Sequence, residues 1–278
     1  MTHKYTLGDT STPTFCVRYC WNDKYIATGC GDGSIKIFNV FTGKQSYTLN
    51  TDLDEPMPTT QVRWRPLNAP GITKNVIIAT NANGTLYHYH TTSGKKLNQI
   101  YDPLNALLTA DYKPDGLEFL TAGSDTVIRV YDEQTRQEKC KMDGGSNGEP
   151  GHSNRIFCAK WDKENTNLVV SGGWDKSIKI WDIRTPQVSV RGFMGPYICG
   201  DSIDIHDSFI LTGQNTPSNQ LQMWDFGTQM PVTDIPFDES LPSQKPCQVY
   251  CCQFQKETGD LIIAGGSGSN EVKVFDGN

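Results

Sequence analysis

One composite pattern recurs six times along the chain and restricts it to a repeat architecture. Each copy has a short apolar segment, a gap, an apolar run that ends in small residues, a turn, and an alternating segment that ends in an aromatic residue and Asp or a similar residue. The fourth copy is the clearest, with GHSNRIFCAKW at 151–161 and LVVSGGWDKSIKIWD at 168–182. The opening segments begin at 15, 60, 108, 157, 201 and 250, a spacing of 44 to 49 residues. This regularity leaves no room for a hidden seventh copy between them.

The repeated segments are typical of short β-strands. SIKIF, TVIRVY and SIKIW alternate with a period of two residues and are bounded by Gly or Asp turns. A further strand follows the aromatic–Asp pair at 44–50, 95–101, 138–143 and, less clearly, 187–193. The sequence therefore predicts an all-β chain with four strands in each repeat.

The fourth copy resembles the WD40 repeat family, and the resemblance extends over essentially the whole chain. It implies that four polar side chains of this copy form one hydrogen-bonded chain: His152, Ser171, Asp175 and Trp181. Buried groups of this kind must satisfy one another or carry a penalty of roughly 1–3 kcal/mol each. A His–Asp–Ser grouping also occurs in catalytic triads, but here it lies in a repeated packing motif beside a Trp. We therefore interpret the set as structural and expect a six-bladed WD40 β-propeller.

The two ends of the chain suggest how such a ring closes. The sixth copy stops after its third strand, and HKYTLGD at 3–9 resembles the fourth strand of a copy. An open sheet edge invites aggregation. We expect a single domain over 1–278, with blades that start near 13, 58, 106, 153, 198 and 247, closed by an N-terminal strand that completes the last blade.

The WD40 resemblance also implies where partners bind. In similar proteins, residues just before or at the first strand of each blade, and just before the turn Asp, line one face and bind peptides. The candidates at these positions are Phe15, Leu108, Arg155, Phe157, Trp174 and Tyr250. Aromatic and Arg side chains around a concavity are typical of binding hot spots. The alternative is that Phe15, Phe157 and Tyr250 begin buried strands and face a neighbouring blade.

Composition indicates the cellular compartment of the protein and excludes some classes of binding partner. A net charge of −6 and a pI of about 5.4 disfavour nucleic-acid backbone binding. No segment is typical of a signal peptide or a membrane span, so no membrane partner is expected. The nine cysteines lie mostly in apolar strand-like runs, which favours free thiols and an intracellular, cytoplasmic protein; a cytoskeletal or nuclear location stays open.

The expected function is a non-catalytic interaction scaffold or adaptor subunit that binds other proteins or peptides, without cofactor or metal. His88 and His90 could share a strand face, but no third metal ligand lies within reach in the sequence. One alternative is a propeller-fold hydrolase. Another is a reader of methylated or phosphorylated peptides that uses Trp174 in an aromatic cage. Cytoskeletal or ciliary, chromatin and ubiquitin-ligase assemblies all remain open.

Overall fold

The computed structural model describes residues 3–8, 11–51, 55, 57–67, 74–144, 150–187, 189–237 and 245–277. These residues form twenty-three β-strands, β1 to β23, and no helix. The predicted all-β class is therefore confirmed. None of the described residues belongs to a helix long and apolar enough to cross a membrane.

The chain divides into two compact units. Unit 1 comprises Met1–Asp125 and Val130–Lys139, and unit 2 comprises Thr126–Arg129 and Cys140–Asn278. The single domain expected over 1–278 stays a prediction.

The strands form six antiparallel sheets, each made of strands that follow one another in the chain. The first sheet contains β1 (Thr14–Tyr19), β2 (Tyr25–Cys30), β3 (Ile35–Asn39) and β4 (Gln45–Leu49). The second contains β5 (Thr59–Trp64), β6 (Val76–Asn81), β7 (Thr85–His90) and β8 (Lys95–Tyr101). The third contains β9 (Leu107–Tyr112), β10 (Glu118–Gly123), β11 (Ile128–Asp132) and β12 (Glu138–Met142).

The remaining three sheets follow in the same order. The fourth contains β13 (Ile156–Trp161), β14 (Leu168–Gly173), β15 (Ser177–Asp182) and β16 (Ser189–Met194). The fifth contains β17 (Ile203–His206), β18 (Phe209–Gly213), β19 (Leu221–Asp225) and β20 (Pro231–Ile235). The sixth has three described strands, β21 (Gln248–Phe254), β22 (Leu261–Ser267) and β23 (Val272–Asp276).

The polar residue that follows the aromatic position in each repeat shapes the turn into the fourth strand. The Asp132 carboxylate accepts the backbone N–H groups of Gln134 and Thr135 at 3.1 and 2.7 Å. These bonds and the Thr135 hydroxyl hold the pKa of Asp132 below its ordinary value. Equivalent turns are closed by Asn39, Asp182 and Asp225. The repeated Asp is therefore a turn residue.

Neighbouring sheets within each unit pack through the same positions. In the fourth sheet, Val170 of β14 lies opposite Ile180 of β15, with Ile178 on the same face. They form one buried cluster with Ile203 and Ile205 of β17, the first strand of the next sheet. We call the side of a sheet that carries the positions of Val170, Ile178 and Ile180 its trailing face. The side that carries the positions of Ile203 and Ile205 is the leading face.

The same two faces meet in three further pairs of sheets. The trailing positions there are Ala27, Ile35 and Ile37 in the first sheet, Ile78, Leu86 and His88 in the second, and Leu211, Leu221 and Met223 in the fifth. The leading positions that face them are Val62 and Trp64, Ala110 and Tyr112, and Cys252 and Phe254. Burying each large aliphatic side chain contributes about 1.5–3 kcal/mol, so these contacts are the core of each unit.

The second sheet departs from this pattern at His88, where the other sheets carry an aliphatic residue or Met. His88 is fully buried, and its Nε2 lies 3.3 Å from the Glu133 carboxylate. The same carboxylate receives a hydrogen bond from Tyr112 at 3.4 Å and ion pairs from Arg136 at 2.9 Å and Arg65 at 3.8 Å. One buried carboxylate therefore pairs with two guanidinium groups and orients one imidazole.

The N-terminal segment differs from the expected closing strand. Residues 3–8 contain no strand, and the described part of the sixth sheet ends at β23. Instead, the Tyr5 hydroxyl donates a hydrogen bond to the Phe41 carbonyl at 2.6 Å, and its ring packs against Gly43. Local contacts with the β3–β4 turn thus hold this segment; Asp9 of the predicted strand lies outside the described residues.

The buried His88 is expected to make stability depend on pH. Burial lowers the pKa of His88 below 6.5, although the hydrogen bond and charge of Glu133 oppose the shift. Below this ordinary value the unfolded chain binds a proton that the folded chain does not, so stability falls as the pH falls. The limiting slope for one histidine is about 1.4 kcal/mol per pH unit.

Urea unfolding at about pH 7 and about pH 5.5 measures this effect. We expect His88→Gln to lose less stability than the wild type between the two values. His90→Gln is the matched control, because His90 lies two residues along the same strand and its imidazole Nδ1 lies 2.7 Å from the nearby Ser93 hydroxyl rather than beside a buried carboxylate. Equal losses in both variants would contradict the assignment.

Candidate functional site

Four polar side chains of the fourth sheet form a continuous chain of hydrogen bonds. The Trp181 indole N–H donates to Ser171 Oγ at 2.8 Å, and Ser171 Oγ lies 2.7 Å from His152 Nε2. His152 Nδ1 lies 2.7 Å from Asp175 Oδ2. Because Ser171 accepts from Trp181, its hydroxyl donates to His152, which donates from Nδ1 to Asp175. Burial raises the pKa of Asp175, but the hydrogen bond and charge of His152 outweigh this effect and hold that pKa below its ordinary value.

This arrangement is incompatible with a nucleophilic Ser171. Ser171 and Trp181 are fully buried, so no substrate reaches the hydroxyl. Both hydrogen-bonding sides of the hydroxyl are already occupied within the protein. The set therefore joins β14, β15 and the segment before β13 into one rigid sheet.

Other sheets keep only fragments of this chain. In the fifth sheet, the Trp224 indole donates to Thr212 Oγ1 at 2.9 Å. In the second, Tyr89 replaces the Trp and donates its hydroxyl to the Asn50 carbonyl at 2.7 Å. In the first, the Asp32 carboxylate accepts the backbone N–H of Ser34 at 2.9 Å. Each fragment satisfies its own buried donors, so none of them needs the complete set.

Four of the six candidate binding residues lie at β-bulges. The register between the first and second strands shifts in five sheets, and in each the extra residue is the one at the start of the repeat. These extra residues are Phe15, Thr60, Leu108, Phe157 and Tyr250. A bulge leaves its extra residue out of the ladder and redirects the side chain. Phe15 and Tyr250 are accordingly exposed, and Leu108 and Phe157 are half-buried, rather than fully buried between strands.

Three aromatic rings form a stack on the surface of unit 2. The Trp174 ring lies 5.0 Å from Phe157 with an interplanar angle of 29°, and 6.5 Å from Tyr197 with an angle of 27°. The backbone N–H of Trp174 donates to the Arg155 carbonyl at 3.0 Å, which fixes the β14–β15 turn against the segment before β13. Trp174 nevertheless keeps 36% of its surface exposed.

Two cations flank this stack. The Arg155 guanidinium lies 5.4 Å from the Trp174 ring centre, and the Lys176 ammonium lies 5.8 Å from the Tyr197 ring centre. Both side chains belong to exposed residues. Neither forms an ion pair with any carboxylate of the described ranges. We call Arg155, Phe157, Trp174, Lys176 and Tyr197 the Trp174 surface.

Cys199 fixes the inner edge of the Trp174 ring. The Trp174 indole N–H donates to Cys199 Sγ at 3.1 Å. Burial raises the pKa of Cys199, so it is a neutral thiol at physiological pH. The sequence did not indicate Tyr197 or Lys176 as members of the site, whereas alignment of the repeats placed Cys199 at the position of Arg155. Tyr197 lies in the loop between β16 and β17, where the repeat pattern supplies no register.

The structure brings together three of the predicted binding residues, Arg155, Phe157 and Trp174. Tyr250 belongs to the same unit, and its carbonyl packs against Gly200, where a Cβ atom would lie only 2.3 Å away. Phe15 and Leu108 belong to unit 1, where the Phe15 ring packs near Gly31.

The histidines considered as metal ligands have other partners. His88 contacts Glu133, whereas His90 contacts Ser93. Within the residues that the structure describes, no group of three or more His, Cys, Asp or Glu side chains is arranged to hold a metal ion.

Comparison with known proteins agrees with the repeat and with the fold. The family model "WD domain, G-beta repeat" matches residues 1–39 and 147–182. WD repeat-containing protein 1 of Bos taurus is 36% identical over 84 residues, which cover 30% of this chain and 13% of that protein. DDB1- and CUL4-associated factor 13 of Xenopus tropicalis is 27% identical over 164 residues, which cover 57% of this chain and 33% of that protein. The chain thus spans a third or less of both relatives.

A solved structure extends the likeness to nearly the whole chain. A chain of the crystal structure of mitotic checkpoint complex superposes with a TM-score of 0.77 at 17% identity, over 97% of this chain and 76% of that chain. The fold is a six-bladed β-propeller, and each sheet described above is one blade. The segments 1–39 and 147–182 thus match WD40 repeats.

Ser171 is expected to contribute more to stability than the equivalent Thr212. Ser171→Ala leaves both the Trp181 N–H and His152 Nε2 without a partner in a buried site, which costs about 2–4 kcal/mol. Thr212→Val leaves the Trp224 N–H without its acceptor, removes a long hydrogen bond to the Gln222 carbonyl and costs about 1–2 kcal/mol. Chemical unfolding of the two variants measures the difference. Equal losses would show that the link to His152 contributes nothing.

Proposed function

We propose that this chain is a non-catalytic interaction scaffold or adaptor subunit of an intracellular assembly, and that it binds protein partners at the Trp174 surface. The observation that carries the proposal is an exposed aromatic stack flanked by two cations that form no ion pair within the part of the chain that the structure describes. Trp, Tyr and Arg are the residues most enriched in binding hot spots.

The Trp174 surface is organised before any partner arrives. Trp174 is held by a backbone bond to Arg155, an indole bond to Cys199 and two stacked rings. The rings therefore lose little conformational freedom on binding, and preorganisation of this kind favours affinity. The hydrogen-bonded chain from Trp181 to Asp175 lies in the same blade and stiffens the strands on both sides of the β14–β15 turn.

The charges favour an acidic partner segment. Arg155 and Lys176 already lie at ring faces, where a methylated ammonium group would otherwise bind, and like charges repel. The ring planes are also close to parallel rather than enclosing a cavity. Carboxylates or phosphates of a partner gain two charge-assisted contacts beside an apolar platform. A methyl-lysine cage is therefore the weaker form of the proposal.

Further features support an intracellular adaptor. All nine cysteines are free thiols, as expected in a reducing compartment. WD40 propellers are generally non-catalytic, and the buried Ser171 fits that description. The names of DDB1- and CUL4-associated factor 13 and of the mitotic checkpoint complex both denote association with other proteins.

Removing the stack or reversing its charge is expected to abolish partner capture without unfolding the chain. Tagged wild type, Trp174→Ala and the double variant Arg155→Glu/Lys176→Glu are compared by quantitative affinity capture from cell extract. We expect the two altered chains to lose the same proteins by at least about tenfold, because a hot-spot truncation costs more than about 1.4 kcal/mol. The proteins lost are expected to carry acidic segments.

Trp21→Ala is the matched control, because Trp21 is also an exposed tryptophan at a turn but belongs to unit 1. It is expected to capture the wild-type set, and the thermal midpoints of all four chains are expected to agree within a few degrees. Unchanged capture by Trp174→Ala would rule out this surface as the binding site.

A further inference from the structure

Leu104 is the most exposed large apolar side chain of the described residues. Its exposed fraction is 101%, whereas the next largest value is 70%, at Val272. Leu104 lies in the loop between β8 and β9, at the third position of the turn Asp102–Asn105. A leucine that no described residue covers contributes no buried apolar surface to the fold. Packing therefore does not explain why leucine occupies this position.

The backbone of Leu104 has a left-handed conformation that leucine rarely adopts. Its φ is +66°, and the preceding Pro103 fixes its own φ at about −65°. With the hydrogen bond from the Asn105 N–H to the Asp102 carbonyl at 3.4 Å, these angles indicate a type II turn. The third position of such a turn is usually glycine or asparagine, because a Cβ atom there costs free energy. The nine other described residues with positive φ that are not glycine are all polar.

The turn is fixed on both sides of Leu104. The Asp102 N–H donates to the Gly84 carbonyl at 2.9 Å, and a Cβ atom on Gly84 would collide with the Asp102 carbonyl oxygen. Asn105 is buried, and its side-chain amide donates to the Asp102 carboxylate at 2.7 Å. The Asn105 side-chain carbonyl accepts the Asp125 N–H at 3.2 Å. The second and third sheets thus hold the turn so that Leu104 projects into solvent.

The segments that meet at this turn carry negative charge. They are residues 82–84, 102–106 and 124–125, and they contain two carboxylates, of Asp102 and Asp125, but no Lys or Arg. This charge is opposite in sign to that of the Trp174 surface, which carries two cations. It attracts a partner with basic side chains and repels an anionic lipid surface.

We propose that Leu104 is a preformed hydrophobic anchor that inserts into an apolar pocket of a protein partner, with Lys or Arg side chains at the rim of that pocket. Backbone strain of this kind is concentrated at functional sites. A turn that is already fixed loses little conformational freedom on binding, and transfer of the leucine side chain from water into the pocket is favourable. The half-buried Leu108, at the bulge that opens β9, adds apolar surface four residues further along the chain.

Leu104 is separate from the Trp174 surface in both position and charge. Leu104 belongs to unit 1, whereas the Trp174 surface belongs to unit 2. An adaptor that binds an acidic segment at one and a basic-rimmed pocket at the other connects two different proteins. The anchor does not require the Trp174 surface, so the two proposals can fail independently.

Leu104→Gly tests whether leucine serves the fold. The change removes the side chain and relieves the left-handed strain. The urea midpoint of the full-length variant is expected to equal or exceed that of the wild type. A lower midpoint would show that leucine stabilises the turn, and the argument from strain would then fail.

Crosslinking and calorimetry test the binding role. The full chain with p-benzoylphenylalanine in place of Leu104 is irradiated in cell extract, and the crosslinked protein is identified by mass spectrometry and purified. Its Kd for the wild-type chain is then compared with those of variants by isothermal titration calorimetry. We expect Leu104→Ala to raise the Kd at least about tenfold, because it removes an anchor, and Leu104→Met to have a smaller effect, because it keeps an apolar side chain of similar volume.

Leu117→Ala is the matched control, since Leu117 is also an exposed leucine of unit 1 but lies in the β9–β10 turn. It is expected to leave the Kd unchanged, as is Trp174→Ala. The Kd of the wild type is expected to rise with salt concentration, because salt screens the attraction between the carboxylates and the basic rim.

Four results would overturn the proposal. The first is that no protein crosslinks to position 104, and the second is that the only product is a second copy of this chain. The third is a Kd that Leu104→Ala leaves unchanged or that Leu117→Ala raises equally. The fourth is a Kd that does not depend on salt, which would contradict a basic rim.

Discussion

The packing of a trailing face on a leading face is the interaction on which each unit depends. A single WD40 sheet has two apolar sides and no core of its own, so each sheet becomes stable only when its neighbour covers it. The same register recurs at Ala27 with Ile37, at Val170 with Ile180 and at Leu211 with Met223. Local sequence can therefore vary widely between repeats, provided that these few positions stay apolar and keep their spacing.

Two departures from the apolar pattern show how polar groups are tolerated in this core. The fourth sheet places a polar chain beside the trailing face and satisfies each member from Trp181 to Asp175. The second sheet substitutes His88 on the trailing face itself and places Glu133 against it, with two arginines paired to that carboxylate. The first solution follows the rule that a buried polar group needs a partner in place of water. The second follows it only in part, because His88 Nδ1 is buried without a hydrogen-bond partner among the described residues.

The repeat spacing was sufficient to predict the class, the number of sheets and most strands, because period-two alternation and Asp turns are local signals. The resemblance to the WD40 family, rather than the spacing, implied the order in which Trp181, Ser171, His152 and Asp175 bond. The spacing gave an incomplete account elsewhere. It missed β20, whose residues are exposed and begin with Pro231, and it misplaced residues 3–8. Tyr197 and the Glu133 cluster escaped because their partners are distant in sequence, and only the folded backbone brings them together.

The β-bulges at the start of five repeats free one residue in each from the requirements of strand pairing, so that its side chain can serve binding instead. A residue inside a ladder must suit both its cross-strand neighbours and its exposed surroundings, so changing it risks the sheet. Phe15 and Tyr250 stand outside that pairing and are exposed. Side-chain identity at these two places can thus be exchanged at little structural cost. One scaffold could in this way acquire different recognition surfaces through single substitutions, with its hydrophobic interior left untouched.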